Sequence, residues 1–494
     1  MPDSLIRAIL GEVSAENALR ETTELAARVR YPESQSFFDA AEYVAGRARA
    51  YGLENVTVER FPSKHPLWDP LEAELDLVSP VSRRLSSLAD VSVLLAQGSR
   101  DGDVTAPLVE ESGEVRDKVV LTSKSPETAW RELSGQHPAA LVCAFRPEYF
   151  GRQPPPDAVA WEQAPAEALA LMISPRQGDE LRAMLHQGAV TVRVHARARR
   201  ASPGEIGQVM GEIPGEAKGR DIVLAAHLDH QKPGANDNAS GSGTLLEVLR
   251  TLKSLISTGK VPRPRRTLRF WWTTEIRSEE AYFHKHPEEA KQILMAVVLD
   301  QAGGDRDAVN NFIVINGPDW LPAFTDDLIY DLAEFVQDSY APPEHEPSPM
   351  LVASGGSTQS MRTVYWDYQP LSDHLAFEAR HTGIPAIALA VPSLHLIHTN
   401  LDTADRLDPT WLKRSALMTL APALYMAGAG PKQAQALLEA VFHRAAARIA
   451  AAAEPERQLA LEHKRLDSVA ALDASIRTED YQARLAAIAK ALRR

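Results

Sequence analysis

From about residue 205 to residue 430 the chain alternates short apolar runs with longer helix-type stretches. This pattern restricts the region to an α/β architecture around a largely parallel sheet. The runs "DIVLAAHLD" (221–229), "TLRFWWTTE" (267–275), "MAVVLDQAG" (295–303), "NFIVING" (311–317) and "PAIALAV" (385–391) have strand length and no room for solvent-facing alternation. Between them, "GSGTLLEVLRTLKSLIS" (241–257), "EEAYFHKHPEEAKQIL" (279–294) and a stretch around 322–338 carry apolar residues at helical spacing. Side chains that end parallel strands share one edge of such a sheet, which is where ligands gather. His227 and Asp229 end one run, Glu275 the next and Asp300 a third, while His398 follows the last.

The flanking regions have a different character. Residues 1–65 read as helices followed by the strand "NVTVERFPS". Residues 66–200 are β-rich ("AELDLVS", "VSVLLAQ", "KVVLTS", "AALVCAF", "VTVRVHARA") with two short helices, and carry no cluster of metal-ligand residues. Beyond Gly430 an alanine-, glutamate- and arginine-rich tail reads as helices, without strand signal. A chain of 494 residues exceeds one compact core, so several domains are expected. The net charge of −13 argues against nucleic acid or an anionic membrane as partner. No apolar run reaches membrane-span length, and the N-terminus reads as an amphipathic helix. The expectation is a cytoplasmic protein, or a secreted one if a leader has been removed. Cys143, flanked by apolar residues, reads as core filler.

The densest chemistry lies in "HLDHQKPGANDNASG" (227–241). Histidine and carboxylate sets of this kind suit Zn²⁺ or a related divalent ion. Residues i and i+2 of a strand face the same side, so Asp229 can lie beside His227 and accept its second ring N–H. Asp237 sits in a glycine-flanked loop, where it can bridge two ions or cap the helix that follows, a role Asn238 or Ser240 can also fill. His230 reads more simply as a solvent-facing loop histidine. Asp373 and His374 read as structural hydrogen-bond partners, and Trp271 and Trp272 as strand residues packing on opposite faces. Ser240 and Ser372 lack a nucleophile-elbow setting, and "VASGGSTQS" lacks the lysine of a phosphate-binding loop.

Taken in series, "HLD…GANDNASG", "WWTTE", "VVLDQAGG", "SDHLAFEARHTGIPAIAL" and "IHTNLDTADRLDP" resemble the M28 family of zinc aminopeptidases over about residues 1–430. "GDVTAPLVEESGEVRDKVVLTS" and "ISPRQGDELRAMLHQGAVTVRV" resemble the protease-associated (PA) domain found inserted in that family. The resemblance implies a zinc-exopeptidase-like fold, a mixed and mostly parallel sheet flanked by helices. The N-terminal part of the peptidase domain would cover 1–65, a PA-like insertion 66–200, the catalytic domain 201–430 and a helical extension 431–494.

It further implies that His227 and Asp300 bind a first metal, that Asp237 bridges and that His398 binds a second. Asp229 would orient His227, and Glu275 would be the general base that takes a proton from metal-bound water. The substrate would be a peptide or aminoacyl compound, cleaved at its N-terminal bond. Two departures stand out. Ile276 occupies the place of a second glutamate that would ligate the second metal, leaving Asp237 and His398 there unless Glu279 or Glu280 substitutes. A one-residue shift would instead make Glu275 that ligand and put Thr274 in the place of the base, but the ungapped match of "FWWTTE" favours Glu275 as base. Ile397 stands where many members have a tyrosine. One or two zinc ions are therefore expected. A single-zinc acyltransferase resembling glutaminyl cyclases, or a catalytically silent scaffold that binds a protein partner, stays open. The C-terminal helices either form a homodimer or pack on their own catalytic domain.

Overall fold

The computed structural model describes residues 1–217, 219–338 and 349–492. Three helices, Asp3–Leu10, Ala15–Ala26 and Gln35–Ala50, lead into strand β1 (Glu54–Pro62). The chain then builds a separate sheet from β2 (Leu67–Ser79), β3 (Arg83–Ser87), β4 (Gly102–Glu110), β5 (Val119–Thr122), β6 (Ala140–Cys143), β7 (Ala170–Met172) and β8 (Thr191–Ala201). It returns through β9 (Glu205–Ile213), β10 (Asp221–His227), β11 (Leu268–Thr273), β12 (Ile293–Asp300), β13 (Phe312–Ile315), β14 (Thr363–Trp366) and β15 (Ala386–Ala390). The strands from β9 onward join β1 in an eight-stranded sheet of order β1-β9-β11-β10-β12-β15-β13-β14. The seven-stranded sheet, ordered β3-β2-β8-β4-β5-β6-β7, is thus an insertion between β1 and its antiparallel neighbour β9.

The eight-stranded sheet is mixed, as expected, and parallel where the candidate residues lie. β11, β10, β12 and β15 run parallel, whereas β1–β9, β9–β11 and β13–β15 are antiparallel. Every residue of β10 is buried because helices cover both faces. Ala15–Ala26, Gln35–Ala50, Gly241–Ser257 and Pro409–Gly428 build the larger core on one side, and Trp272 faces them. Trp271 faces the smaller core on the other side, against Phe283 of the helix Arg277–Lys285 and against Phe377. The two tryptophans therefore pack as strand alternation requires.

Some local expectations change. "VSVLLAQ" forms turns and isolated bridges (Leu95 to Leu171, Gln97 to Gln163) instead of a strand. Strand β9 carries no clear apolar alternation in sequence and owes its existence to pairing between β1 and β11. The helix expected at 279–294 stops at Lys285, two residues before Pro287. The stretch around 322–338 divides into Thr325–Leu328 and Tyr330–Asp338.

Three helices, Pro431–Ala451, Pro455–Val469 and Glu479–Ala491, form the tail. Their apolar stripe (Leu438, Val441, Phe442, Ile449, Leu466, Leu485) joins the larger core of the same chain. Of the two arrangements expected for the tail, the structure has it packed on its own chain, with the stripe covered from within. Cys143 is buried in the inserted sheet. Among the described residues no helix is long and apolar enough to cross a membrane.

Candidate metal centre

Strand register brings the first residues together. His227 ends β10 and pairs with Thr273 of β11, so Glu275 projects just beyond the same edge, and Asp300 ends the parallel neighbour β12. After His227 the backbone turns back through a loop that is bonded at nearly every step. Leu228 N–H donates to Thr273 O and His230 N–H to Arg30 O, at 2.8 and 2.9 Å. The fully buried Arg30 guanidinium donates to the carbonyls of Leu228 and Gly234 at 2.8 and 3.0 Å. Asp402 accepts the main-chain N–H groups of Asn236 and Asp237 at 2.8 and 3.0 Å. Gly234 has a positive φ of 46°, and a Cβ there would strike the His230 ring. Asn238 takes the cap: its Oδ1 accepts Gly241 N–H and Gln301 N–H, both at 3.0 Å, while its Nδ2 donates to Leu299 O. Asp237 is thereby released from capping and turns its carboxylate toward the histidines.

That carboxylate divides its oxygens between two clusters. Oδ1 lies 3.4 Å from His227 Nε2, which is itself 3.4 Å from Asp300 Oδ1. Oδ2 lies 3.2 Å from His230 Nε2 and 3.2 Å from His398 Nε2. Each cluster of three, His227–Asp237–Asp300 and His230–Asp237–His398, has its donor atoms within 4.8 Å of one another. Among the described residues His227 Nε2, His230 Nε2 and Asp300 Oδ1 are buried without a hydrogen-bond partner. Buried polar atoms left unpaired and aimed at common points fit divalent cations, and imidazole with carboxylate is the donor set of zinc. The far side of His227 is also arranged: its Nδ1 lies 3.0 Å from the Asp229 main-chain oxygen and 3.6 Å from the Asp229 carboxylate. The Asp229 carboxylate accepts Glu275 N–H at 2.7 Å, tying the two strand ends together.

The electrostatics are those of a site built for positive charge. Burial opposes protonation of His227, but Glu275 and Asp300 outweigh it and push its pKa well above the usual value. Burial alone would raise Asp237, yet His230, His227 and His398 hold it well below the usual carboxylate range. Glu275 is pushed well above that range by burial, with Asp300 and Asp373 adding to the rise and His227 opposing it. Burial lifts Asp402 to about 7, against the two N–H groups that it accepts. Burial likewise lowers Arg30 to about 10, opposed by Asp229, Asp402 and Asp237.

Glu279 and Glu280 do not fill the place left by Ile276. Glu279 is fully buried, bonds Ser278, and has its pKa pushed up by burial and by Asp373; Glu280 is exposed. Ile276 has a φ of +62°, and its N–H donates to Asp373 Oδ1 at 2.8 Å, while Asp373 Oδ2 accepts from Thr273. Asp373 thus shapes the backbone beside Glu275, and His374 bonds Gln369 O. The third donor of the second cluster is His230, expected as a solvent-facing residue but in fact 4 % exposed. Its burial comes from groups distant in sequence: Arg30, and Trp161 of the inserted region, whose ring centroid lies 4.9 Å away. The available signal was position, three residues past His227 and just before the turn at Pro233 and Gly234. Asp402 lies in the run "IHTNLDTADRLDP" without being singled out there, and Arg30, Tyr149 and Trp161 carried no sequence signal.

Residues 208–423 match the model of peptidase family M28. The chain is 30% identical over 117 residues to leucine aminopeptidase 1 of Aspergillus oryzae, a match covering 21% of this chain and 29% of that protein. The chain therefore spans less than a third of that relative. It is 23% identical over 402 residues to a probable leucine aminopeptidase of Arthroderma otae, covering 75% of this chain and 91% of the other. In fold it is similar to a zinc aminopeptidase from Bacillus subtilis, with a TM-score of 0.57 and 17% identity, over 84% of this chain and 95% of that one.

Proposed function

We propose, on the match of residues 208–423 to the model of peptidase family M28, that the chain is a zinc-dependent exopeptidase that releases N-terminal residues from peptides. One observation carries the proposal: Asp237 presents its two oxygens to two separate histidine-containing clusters at the carboxyl edge of the sheet, with the buried Glu275 beside them. His227, Asp237 and Asp300 would hold one cation, and His230, Asp237 and His398 a second. When bound, such ions polarise a substrate carbonyl and lower the pKa of water toward neutrality.

The protein's own part is proton management and positioning. Glu275 takes a proton from the attacking water as its oxygen adds to the carbonyl carbon. As the C–N bond breaks, the same carboxyl returns that proton to the leaving amine, giving a free amino acid and a shortened peptide. Burial and the neighbouring carboxylates push the Glu275 pKa well above the ordinary carboxylate range, the direction that suits a group holding a proton between the two steps. Asp229 keeps Glu275 in place through its main-chain N–H. We assign residues 66–200 as an inserted domain that walls this site, since Trp161 stands against both His230 and His398.

Metal analysis of the purified protein, paired with hydrolysis of free and N-acetylated peptides, tests this reading. The expected result is two zinc equivalents per chain and stepwise release from free N-termini only. Fewer than two equivalents, or cleavage of the acetylated peptides at equal rate, would overturn it.

A further inference from the structure

The two clusters differ in what holds their histidines. His227 is fixed by its own strand and by Asp229. His398 lies on no strand or helix, has a positive φ of 55°, and leaves its side chain 32 % exposed. Its restraints come from the inserted unit. Trp161 N–H donates to His398 O at 2.7 Å, and Ala160 bridges Thr399. Asn400 N–H donates to Val159 O at 3.0 Å, and Val159 N–H to Asn400 Oδ1 at 2.7 Å. The ring itself is met by Tyr149, on the connection between β6 and β7: the phenol oxygen lies 3.0 Å from His398 Nδ1, and the two rings pack edge to face at 5.2 Å.

We propose that Tyr149 is a positioning residue for the second cation, its phenol oxygen accepting the Nδ1–H of His398 so that Nε2 keeps its lone pair toward Asp237 Oδ2. The inserted domain would then complete the second cation site without supplying a ligand. A ligating imidazole must carry its proton on the other nitrogen, and the group that accepts that proton sets ring angle and donor strength. Tyr149 is the hydrogen-bond partner of His398 Nδ1, and its phenol oxygen can accept as well as donate. Among the described residues His230, the other histidine of the cluster, has no hydrogen-bond partner on Nδ1, so Tyr149 provides the outer hydrogen bond of this pair. The second site is therefore completed by a loop of the inserted unit, and its affinity depends on that loop staying in place.

This inference rests on the two-cation reading above. The test is Tyr149→Phe, which keeps the edge-to-face packing and removes the oxygen alone. Zinc binding to the metal-free protein, followed by competition with a chelator of known affinity, should show two sites in the wild type. In Y149F one site should weaken about 10- to 100-fold while the other keeps its affinity. The melting temperature of the metal-free protein should not move. Equal weakening of both sites, or a lowered melting temperature of the metal-free variant, would assign Tyr149 a structural role and overturn the proposal. Two unchanged sites in Y149F would overturn it as well, leaving the two-cation reading intact. A wild-type stoichiometry below two would overturn both together.

Discussion

The two halves of the candidate centre share Asp237 but are built by different means. The His227–Asp300 half stands on the ends of adjacent parallel strands, inside a sheet whose central strand is buried along its whole length. The His230–His398 half stands on two loops, one stapled by Arg30 and Asp402, the other by the inserted unit through Val159, Trp161 and Tyr149. A strand end is placed by main-chain ladders that involve every neighbour, so its geometry follows from forming the sheet. A loop is placed by whatever side chains reach it. The first half is thus a property of the fold, and the second a property of contacts between regions far apart in sequence.

Substitutions that separate the halves can break or sharpen this contrast. Asp237→Ala should have the largest effect, because it removes the only group common to both: activity falling by at least about 10³-fold, some 4 kcal/mol, with both zinc equivalents lost. Retention of one equivalent would show that the halves are independent. Glu275→Gln should lower kcat by about 10²- to 10⁴-fold with zinc content unchanged. Unchanged turnover in steady-state assays would remove Glu275 from the base role. His230→Ala should bring zinc from two equivalents to one, whereas the same assay on Glu279→Gln should still find two. A loss in the second variant and none in the first would return the ligand role to Glu279.

The smallest effect is expected away from both halves. Glu21 lies buried on the helix Ala15–Ala26 and accepts from Arg47, Tyr43 and Tyr51. Burial opposes its charge, but Arg47 and Tyr51 outweigh that and hold its pKa below the ordinary 4.5. A carboxylate with a lowered folded-state pKa stabilises the fold fully above its unfolded value. That stability is lost as pH falls through the lower folded value. Glu21→Gln should therefore cost about 1 kcal/mol at neutral pH. The difference from wild type should shrink below pH 4.5, with zinc stoichiometry unchanged throughout. Thermal melts between pH 3 and pH 7 would check this, and a gap that widened toward acid would refute it.

Much of the first half was legible in the residues. Apolar runs of strand length, each ending in an ionisable side chain, implied a shared sheet edge before any register was known, and His227, Asp229, Asp237, Glu275, Asp300 and His398 do converge there. Whether Asp237 capped the helix or faced the histidines was open in sequence, because either Asn238 or Asp237 could accept the same N–H. The close approach of Leu299 and Gln301 to Asn238 decided it.

The sequence by itself determined the alternation that sets the sheet, the donor types at its edge, and the helical character of the tail, since these depend on local periodicity and side-chain chemistry. Only the tertiary structure decided that His230 is buried and faces Asp237, that Tyr149 meets His398, and that the tail covers its own core. Those outcomes depend on contacts between segments separated by up to hundreds of residues. No local pattern records such contacts, because burial and hydrogen-bond partnership belong to the packed chain and not to any stretch of it.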